Sequence, residues 1–96
     1  MIKVSLDIQN LLGKDHYEEL VRLCKKGVER ISELGPSDND IKLSLKSLDQ
    51  KFMVTIKMFS RALDFNLQSS ARSPFMAVES AMKEALLKVQ KWSATR

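Results

Sequence analysis

The chain of 96 residues is poor in the residues that build chemical sites, with one cysteine, one histidine, three glycines and two prolines. A single cysteine, Cys24, excludes an intramolecular disulfide and fits a reducing compartment. His16 lies eight residues before it on one predicted helix, and a rise of about 1.5 Å per residue separates the two by about 12 Å, too far for a nucleophile–base pair. Isolated glycines exclude a glycine-rich phosphate loop. The sequence therefore predicts a protein that is not an enzyme.

Metal ligands and apolar runs are also scarce. Residues 38–40 carry two aspartates and an asparagine, but they lack the other positions of a calcium loop, and no other set has the ligand spacing of a metal site. No run approaches the roughly eighteen apolar residues of a membrane span, and the N-terminus has no signal-peptide pattern. We therefore expect a cytoplasmic protein with no metal, cofactor, small-molecule substrate or membrane partner.

Positive charge is in modest excess, with 16 basic and 12 acidic residues, a net charge of +4 and a pI near 9.4. This balance favours a polyanionic partner without proving one. Hydrophobic residues at 44% and charged residues at 29% are typical of a globular protein. We expect residues 1–96 to form a single domain with one core.

The longest apolar pattern, from Ser73 to Trp92, predicts an amphipathic helix. Its apolar positions recur at steps of three and four residues: Phe75, Val78, Met82, Ala85, Val89 and Trp92. Ala81 and Leu86 widen this stripe. Ser73 is expected to cap the first turn with its hydroxyl, and Pro74 suits the first helical position. Because such a stripe must be buried, the upstream chain has to supply the surface on which it packs.

Upstream, period-two alternation predicts strands over residues 1–9, 41–46, 54–58 and 63–68, and a 3.6-residue period predicts a helix from Asp15 to Leu34. The apolar members of the first strand are Ile2, Val4, Leu6 and Ile8. The buried side of the first helix comprises Tyr17, Leu20, Cys24, Val28 and Ile31, flanked by Val21, Leu23 and Leu34.

The connections follow from glycine, proline and polar residues. Gly35-Pro36 ends the first helix, and Gly27 on its buried side indicates close packing on a sheet. Residues 59–62 are predicted to form a turn and residues 69–72 a loop. The order β-α-β-β-β-α predicts an α/β two-layer sandwich, with a four-stranded sheet and two helices packed on one face.

The other face of the sheet is predicted to be polar, with Lys3, Lys42, Lys46, Lys57, Asp7 and Asp64. A sheet that reads RNA bases needs aromatic residues for stacking, and this face offers only Phe59 near a strand end. A double-stranded RNA-binding domain opens its second helix with a lysine cluster, which residues 71–74 do not supply. Neither mode is therefore favoured.

Basic residues on the outer sides of the two helices are the remaining candidates for a function. They are Arg22, Lys25, Lys26 and Arg30 on the first helix, and Lys83, Lys88 and Lys91 on the last. Two interpretations stay open: a solvated surface with ion pairs such as Lys25–Glu29, or a joint surface for a phosphate backbone with salt-dependent affinity. Met76 and Leu87 also point outward, where they flank the core or form a contact patch.

The topology, the size and residues 52–92 resemble the ribosome hibernation-promoting factor family, also called sigma-54 modulation proteins or ribosome-associated inhibitors. A hairpin, FMVTIK followed by LDFNL, leads into ARSPFMAV at the start of the last helix. Phe75, Ala77 and Val78 look like the aromatic, alanine and aliphatic positions that open this helix in the family. Residues 73–74 replace the usual acidic opening, and the hairpin lacks the common glycine turn. We expect a short form, without the additional C-terminal domain of forms that pair ribosomes.

The resemblance implies binding to the small ribosomal subunit where messenger and transfer RNA would lie. Translation would be silenced by steric occupancy, with no chemistry and no cofactor. We expect the protein to be a monomer when free. The resemblance also implies that the seven basic helix residues named above contact ribosomal RNA. The alternative is a protein–protein interaction module on the same fold, without RNA binding, that uses an open sheet edge or the Met76–Leu87 patch.

Overall fold

The computed structural model of the protein contains six elements of secondary structure. It describes residues 3–8 and 14–95, without the side chains at positions 3, 4, 8, 14, 15 and 48. The elements are β1 (Lys3–Ile8), α1 (Lys14–Leu34), β2 (Asp40–Leu48), β3 (Lys51–Phe59), β4 (Phe65–Ala71) and α2 (Pro74–Ala94). The predicted order β-α-β-β-β-α is confirmed. Met1, Ile2 and Gln9, which the alternation assigns to the first strand, lie outside the described residues.

The four strands form one sheet in the order β1-β2-β3-β4. β1 is parallel to β2, whereas the β2–β3 and β3–β4 pairs are antiparallel. A parallel pair needs a crossover connection, and α1 supplies it on one face of the sheet. α2 packs beside α1 and against β3 and β4. The predicted two-layer α/β sandwich, with both helices on one face, is confirmed.

The core lies between the sheet and the helices, and alternate strand residues fill it. The buried strand residues are Ile41, Leu43, Leu45, Val54, Ile56, Met58, Phe65 and Leu67. The helices contribute Leu20, Cys24, Val28, Ile31, Ala77, Val78, Ala81, Ala85 and Val89. Full burial of one aliphatic side chain contributes about 1.5–3 kcal/mol, so this layer dominates the stability of the fold. Leu23 and Leu34, predicted to flank the buried side, are 38% and 46% exposed.

β4 differs from its prediction at both ends. Leu63, expected within the strand, lies in the preceding loop, where the Ser60 hydroxyl donates to its carbonyl at 2.8 Å and accepts from its N–H at 2.9 Å. Residues 69–71, expected in a loop, continue the strand and pair with β3 as far as Ala71 opposite Phe52. Ladder hydrogen bonds therefore override the weak strand propensity of serine and alanine.

The hairpin between β2 and β3 turns through two residues without a glycine. Asp49 and Gln50 have φ values of 50° and 64°, the left-handed conformation that the favoured two-residue hairpin turns require. Asp tolerates this conformation better than most residues. The tight turn sets the register in which Lys42 lies directly opposite Lys57 on the open face of the sheet.

Asn39 holds the connection from α1 to β2, although the sequence pattern predicts only a polar loop there. Its side chain is fully buried. The amide nitrogen donates to the carbonyls of Ser32 at 2.8 Å and Pro36 at 2.6 Å, and the amide oxygen accepts from the Ser32 hydroxyl at 2.9 Å. Because a buried amide is tolerated only when it is hydrogen-bonded, this network fixes where β2 begins relative to α1.

The start of α2 matches the prediction in position but not in its cap. Ser73 has an extended backbone, with φ −109° and ψ 136°, yet its hydroxyl makes no capping hydrogen bond. The predicted hydroxyl cap is therefore wrong. The Ser73 carbonyl accepts the first helical bond from the N–H of Ala77 at 3.0 Å, and Pro74 at the first helical position removes one orphan N–H. The helix runs past Trp92 to Ala94.

Candidate nucleic-acid interface

The outer side of the helix layer carries a groove of about 500 Å³ between α1 and α2, here called the inter-helix groove. Its floor is apolar and consists of Leu23, Gly27, Val78, Met82 and Leu86. Its rim is charged and consists of Lys26, Arg30, Glu79 and Lys83. The groove thus combines an apolar floor with an excess of positive charge at its edges.

Gly27 allows the two helices to approach closely at this groove. A β-carbon at this position would lie only 2.7 Å from the sulfur of Met82 on α2. The sequence pattern attributes this glycine to packing of α1 on the sheet, and that interpretation is wrong because α2 occupies the space. The close approach brings the basic residues of one helix near those of the other.

Helical spacing puts the rim charges on the sides of the helices that border the groove. Lys26 and Arg30 are four residues apart on α1, and Glu79 and Lys83 are four residues apart on α2, so each pair shares one side of its helix. Glu79 precedes Lys83 in the favourable orientation for an intrahelical pair. The local balance is three cations against one carboxylate.

Arg22 extends this basic edge toward the start of α2. A neighbouring depression of about 300 Å³ is lined by Glu19, Arg22, Leu23, Lys26 and Phe75, and it shares Leu23 and Lys26 with the inter-helix groove. Four of the seven predicted contact residues therefore line two adjacent depressions: Arg22, Lys26, Arg30 and Lys83. Lys25 is exposed on α1 but lines neither of these two depressions.

Lys88 and Lys91 lie on the other flank of α2, toward β4. They line a separate cavity of about 380 Å³ together with Asp64, Phe65 and Trp92. The Lys88 ammonium is 6.0 Å from the centroid of the Phe65 ring, within range of a cation–π interaction. Asp64 lines this cavity from the loop before β4, and not the open face of the sheet on which the pattern places it. The predicted basic surface is thus two groups on opposite flanks of α2.

Met76 and Leu87 are 63% and 53% exposed on the outer side of α2. The prediction that they point outward is confirmed. Single exposed apolar residues are common in proteins, so this exposure fits both residues that flank the core and a contact patch.

The described residues offer little to covalent or metal chemistry. Burial raises the pKa of the Cys24 thiol from 9.0 to about 11, so this thiol is protonated at neutral pH and is not a nucleophile. Within residues 3–8 and 14–95, no group of three or more His, Cys, Asp and Glu side chains is placed to hold a metal ion. In the same part of the chain, neither helix has an apolar stretch long enough to cross a bilayer.

No family sequence model matches the chain, and no curated protein sequence matches it either. Two solved structures share its fold over almost the whole chain. The N-terminal domain of Thermus thermophilus Protein Y superposes with a TM-score of 0.73 at 15% identity, over 96% of this chain and 99% of that domain. A ribosomal subunit interface protein from Coxiella burnetii superposes with a TM-score of 0.71 at 18% identity, over 98% of this chain and 99% of that protein.

At this level of identity, the likeness to the two structures establishes a shared fold. One of them is named for the ribosomal subunit interface, which agrees with the family that residues 52–92 resemble. The resemblance seen in the sequence is therefore confirmed at the level of the fold.

Proposed function

We propose that residues 1–96 act as a single ribosome-binding domain that silences translation in the cytoplasm. The domain contacts small-subunit ribosomal RNA through basic side chains on its two helices and occupies the messenger and transfer RNA site, without catalysis. The observation that carries this proposal is the placement of Arg22, Lys26, Arg30 and Lys83 around two adjacent depressions that share Leu23 and Lys26. The fold shared with a ribosomal subunit interface protein supports it.

Phosphate contact is the interaction that such a rim provides. Lysine and arginine bind phosphate oxygens and release the counterions condensed on the nucleic acid, so affinity falls as salt rises. Four phosphate contacts with a duplex correspond to about 100-fold weaker binding between 50 and 200 mM salt. Glu19 and Glu79 border the same depressions and lower this attraction, which favours a reversible complex.

The remaining predicted contacts extend the surface on either side. Lys25 adds a cation on the exposed side of α1, and Lys91 adds one on the β4 flank of α2. Lys88 is already close to the Phe65 ring, so its loss weakens RNA binding less than the loss of Lys83 does.

Sedimentation of the tagged protein with ribosomes from stationary-phase cells, at low and high salt, tests the proposal. We expect co-migration with the small subunit or the whole ribosome at low salt, release at high salt, and loss of binding in the variant K26E/R30E/K83E. A matched control with the same change in net charge is K51E/R61E/R72E, at exposed positions outside both helices. Circular dichroism verifies that both variants are folded. A protein that remains at the top of the gradient at low salt contradicts the proposal.

A protein–protein interaction module on the same fold is the second candidate. The apolar floor of the inter-helix groove and the exposed Met76 and Leu87 favour it, because a phosphate backbone does not need an apolar contact surface. This candidate predicts binding that tolerates high salt and is lost in Leu87→Asp. The same sedimentation series separates the two candidates, since RNA binding is lost with salt and retained in Leu87→Asp.

A further inference from the structure

The open face of the sheet carries a second basic depression, on the side opposite the helices, here called the sheet cavity. Its volume is about 310 Å³, and residues from all four strands line it. Its charged members are Lys42, Lys46, Lys57 and Asp7. Three cations against one carboxylate give it the same local charge balance as the rim of the inter-helix groove.

The strand register concentrates positive charge at the centre of this face. Lys42 on β2 lies directly opposite Lys57 on β3, and such partners have β-carbons about 5 Å apart. Like charges placed directly opposite each other lower the stability of a sheet. Two carboxylates border this lysine row: Asp7 lies in the row on one side, opposite Ser44, and Asp40 lies in the row on the other side, where it shares a depression with Lys42 and Lys57. An anion bound over Lys42 and Lys57 would relieve their repulsion.

Neutral hydrogen-bonding side chains surround these lysines. Ser44, Thr55 and Gln68 follow one another across three strands in a single row of the register, and Asn66 lies opposite Lys57. Hydroxyl and amide groups are common partners of phosphate oxygens, and lysine supplies the charge. The cavity therefore has the composition of a phosphate-contacting surface.

Base stacking on this face would depend on a single aromatic ring at a strand end. Phe59, at the end of β3, is 68% exposed and lines a smaller depression of about 220 Å³ together with Lys42 and Lys57. This one ring therefore borders the lysines from outside the sheet cavity, whereas RNA-reading sheets stack two or three bases on several aromatic residues. Four strands at a spacing of about 4.8 Å give a polar surface about 14 Å wide. A backbone can cross such a surface, whereas a small anion would leave most of it uncovered.

We propose that the sheet cavity binds the phosphate backbone of a second RNA segment, so that the domain lies between two RNA segments, one on the helices and one on the sheet. This inference rests on the proposed ribosomal RNA function. The shortest extent of the Cα atoms is 15 Å, which exceeds the Debye length of about 8 Å at physiological ionic strength. The two faces therefore attract phosphates largely independently of each other.

Ribosome binding by the full chain tests the inference with three charge-matched variants. The sheet variant is K42E/K46E/K57E, the groove variant is K26E/R30E/K83E, and the control is K51E/R61E/R72E, in which Lys51 lies at the end of the open face and outside the sheet cavity. We expect the sheet variant to bind ribosomes at least about 10-fold more weakly than the control at low salt. The neutral variant K42Q/K46Q/K57Q guards against unfolding by charge reversal, and its log–log salt slope is expected to be less steep by about 3.

The outcomes separate the two proposals. If the sheet variant binds like the control while the groove variant loses binding, the sheet inference is overturned and the proposed function stands. If the sheet variant loses binding while the groove variant behaves like the control, the helix-face proposal fails. If both variants bind like the control, both are wrong.

Amide chemical shifts identify the ligand on the sheet. The ¹⁵N-labelled full chain is titrated with a short RNA duplex and, separately, with inorganic phosphate at the same ionic strength. RNA is expected to shift the amides of β2 and β3 around Lys42 and Lys57 at concentrations at which phosphate does not. Equal saturation by phosphate would overturn the RNA assignment in favour of a small-anion site.

Discussion

The inter-helix groove and the sheet cavity carry the same local charge on different floors. Each has three cations and one carboxylate. Leucine, methionine, valine and glycine form the floor of the groove, whereas the uncharged residues of the sheet cavity are hydroxyl and amide side chains with one methionine. The difference arises from the two kinds of element. On a helix, charged residues lie next to apolar residues that are only partly buried. On a strand, successive side chains point to opposite faces, so the core residues of the sheet all lie on the face away from the sheet cavity.

The two depressions are therefore expected to attract phosphate similarly but to differ in the short-range contacts that a bound partner makes. Equal charge attracts phosphates equally, but only the groove gains from burying an apolar group, at about 25 cal/mol per Å². The charge of the helix layer is also local, since the described side chains of α1 and α2 include seven basic and six acidic residues. RNA binding on the helices therefore depends on a few positions, and most of the helix surface contributes no net charge.

The salt dependence of ribosome binding should show the largest effect. In K26Q/R30Q/K83Q, three phosphate contacts are lost, so the log–log slope of affinity against salt should be less steep by about 3. Binding assays at four or more salt concentrations measure this slope. The floor variant Leu23→Gln is the control, because it alters the groove without changing charge. An unchanged slope in the triple variant would show that the rim does not contact phosphate.

Cys24 lies between the two faces and gives the next largest effect. Burial raises the pKa of its thiol from 9.0 to about 11. Below pH 9 the thiol is protonated in both the folded and the unfolded chain. Between pH 9 and 11 the unfolded chain loses this proton and the folded chain keeps it, so the free energy of unfolding falls as pH rises. The expected loss is about 3 kcal/mol.

Urea unfolding across this pH range measures the effect, and Cys24→Ala is the reference that lacks the thiol. The difference between the two proteins isolates Cys24 from the lysines that titrate in the same range. Parallel curves for the two proteins would mean that the thiol is not buried in the folded state. Slow reaction of Cys24 with a thiol reagent also shows that a charge variant of either face has kept its core closed.

Gly27 tests how tightly the floor of the groove is packed. Alanine is favoured over glycine within a helix by about 1 kcal/mol, but a β-carbon here meets the Met82 sulfur at 2.7 Å. We expect Gly27→Ala alone to change the free energy of unfolding by less than about 0.5 kcal/mol, because displacement of Met82 offsets the gain. In a Met82→Ala background the full gain should appear.

A double-mutant cycle from denaturant unfolding measures this coupling between Gly27 and Met82. The same effect of Gly27→Ala in both backgrounds would mean that the two helices do not meet at this point. The sequence places Gly27 on the buried side of α1 but does not show that α2, and not the sheet, occupies the space. Helix-to-helix contacts depend on how both stripes sit on the sheet, and periodicity within one helix carries no such information.

Strict periodicity made most of the fold predictable. The alternation of Ile41, Leu43 and Leu45 survives in the structure as a strand with one fully buried face, because a shift of one residue would expose the whole set. The unpredicted parts lack a local pattern. Residues 69–71 are strand only because β3 pairs with them, and Asn39 is buried only because Ser32 and Pro36 satisfy its amide.

The candidate site shows the same limit. Each basic residue was predictable as an outward-facing side chain of its helix. Which residues share a depression depends on the neighbours of α2, which has α1 on one flank and β4 on the other. Lys83 therefore borders the groove, whereas Lys88 and Lys91 border Phe65. The sheet lysines were visible as a polar face, but their concentration around Lys42 and Lys57 depends on the register of the hairpin.

Lys57→Gln gives the smallest effect and tests the sheet side of the comparison. Because Lys57 lies directly opposite Lys42, removal of its charge should raise the free energy of unfolding by a few tenths of a kcal/mol. The gain should shrink as salt screens the exposed pair. Glutamine keeps part of the alkyl stem, which limits changes in packing.

Lys51→Gln is the matched control, since Lys51 is exposed on the same strand and lies opposite Leu48. It should show no comparable gain in thermal or urea unfolding at low salt. If Lys57→Gln stabilises the protein and also weakens ribosome binding, the Lys42–Lys57 pair lowers the stability of the fold and contributes to phosphate binding. A destabilised one would mean that the two lysines do not repel each other and that no bound anion is needed to relieve them.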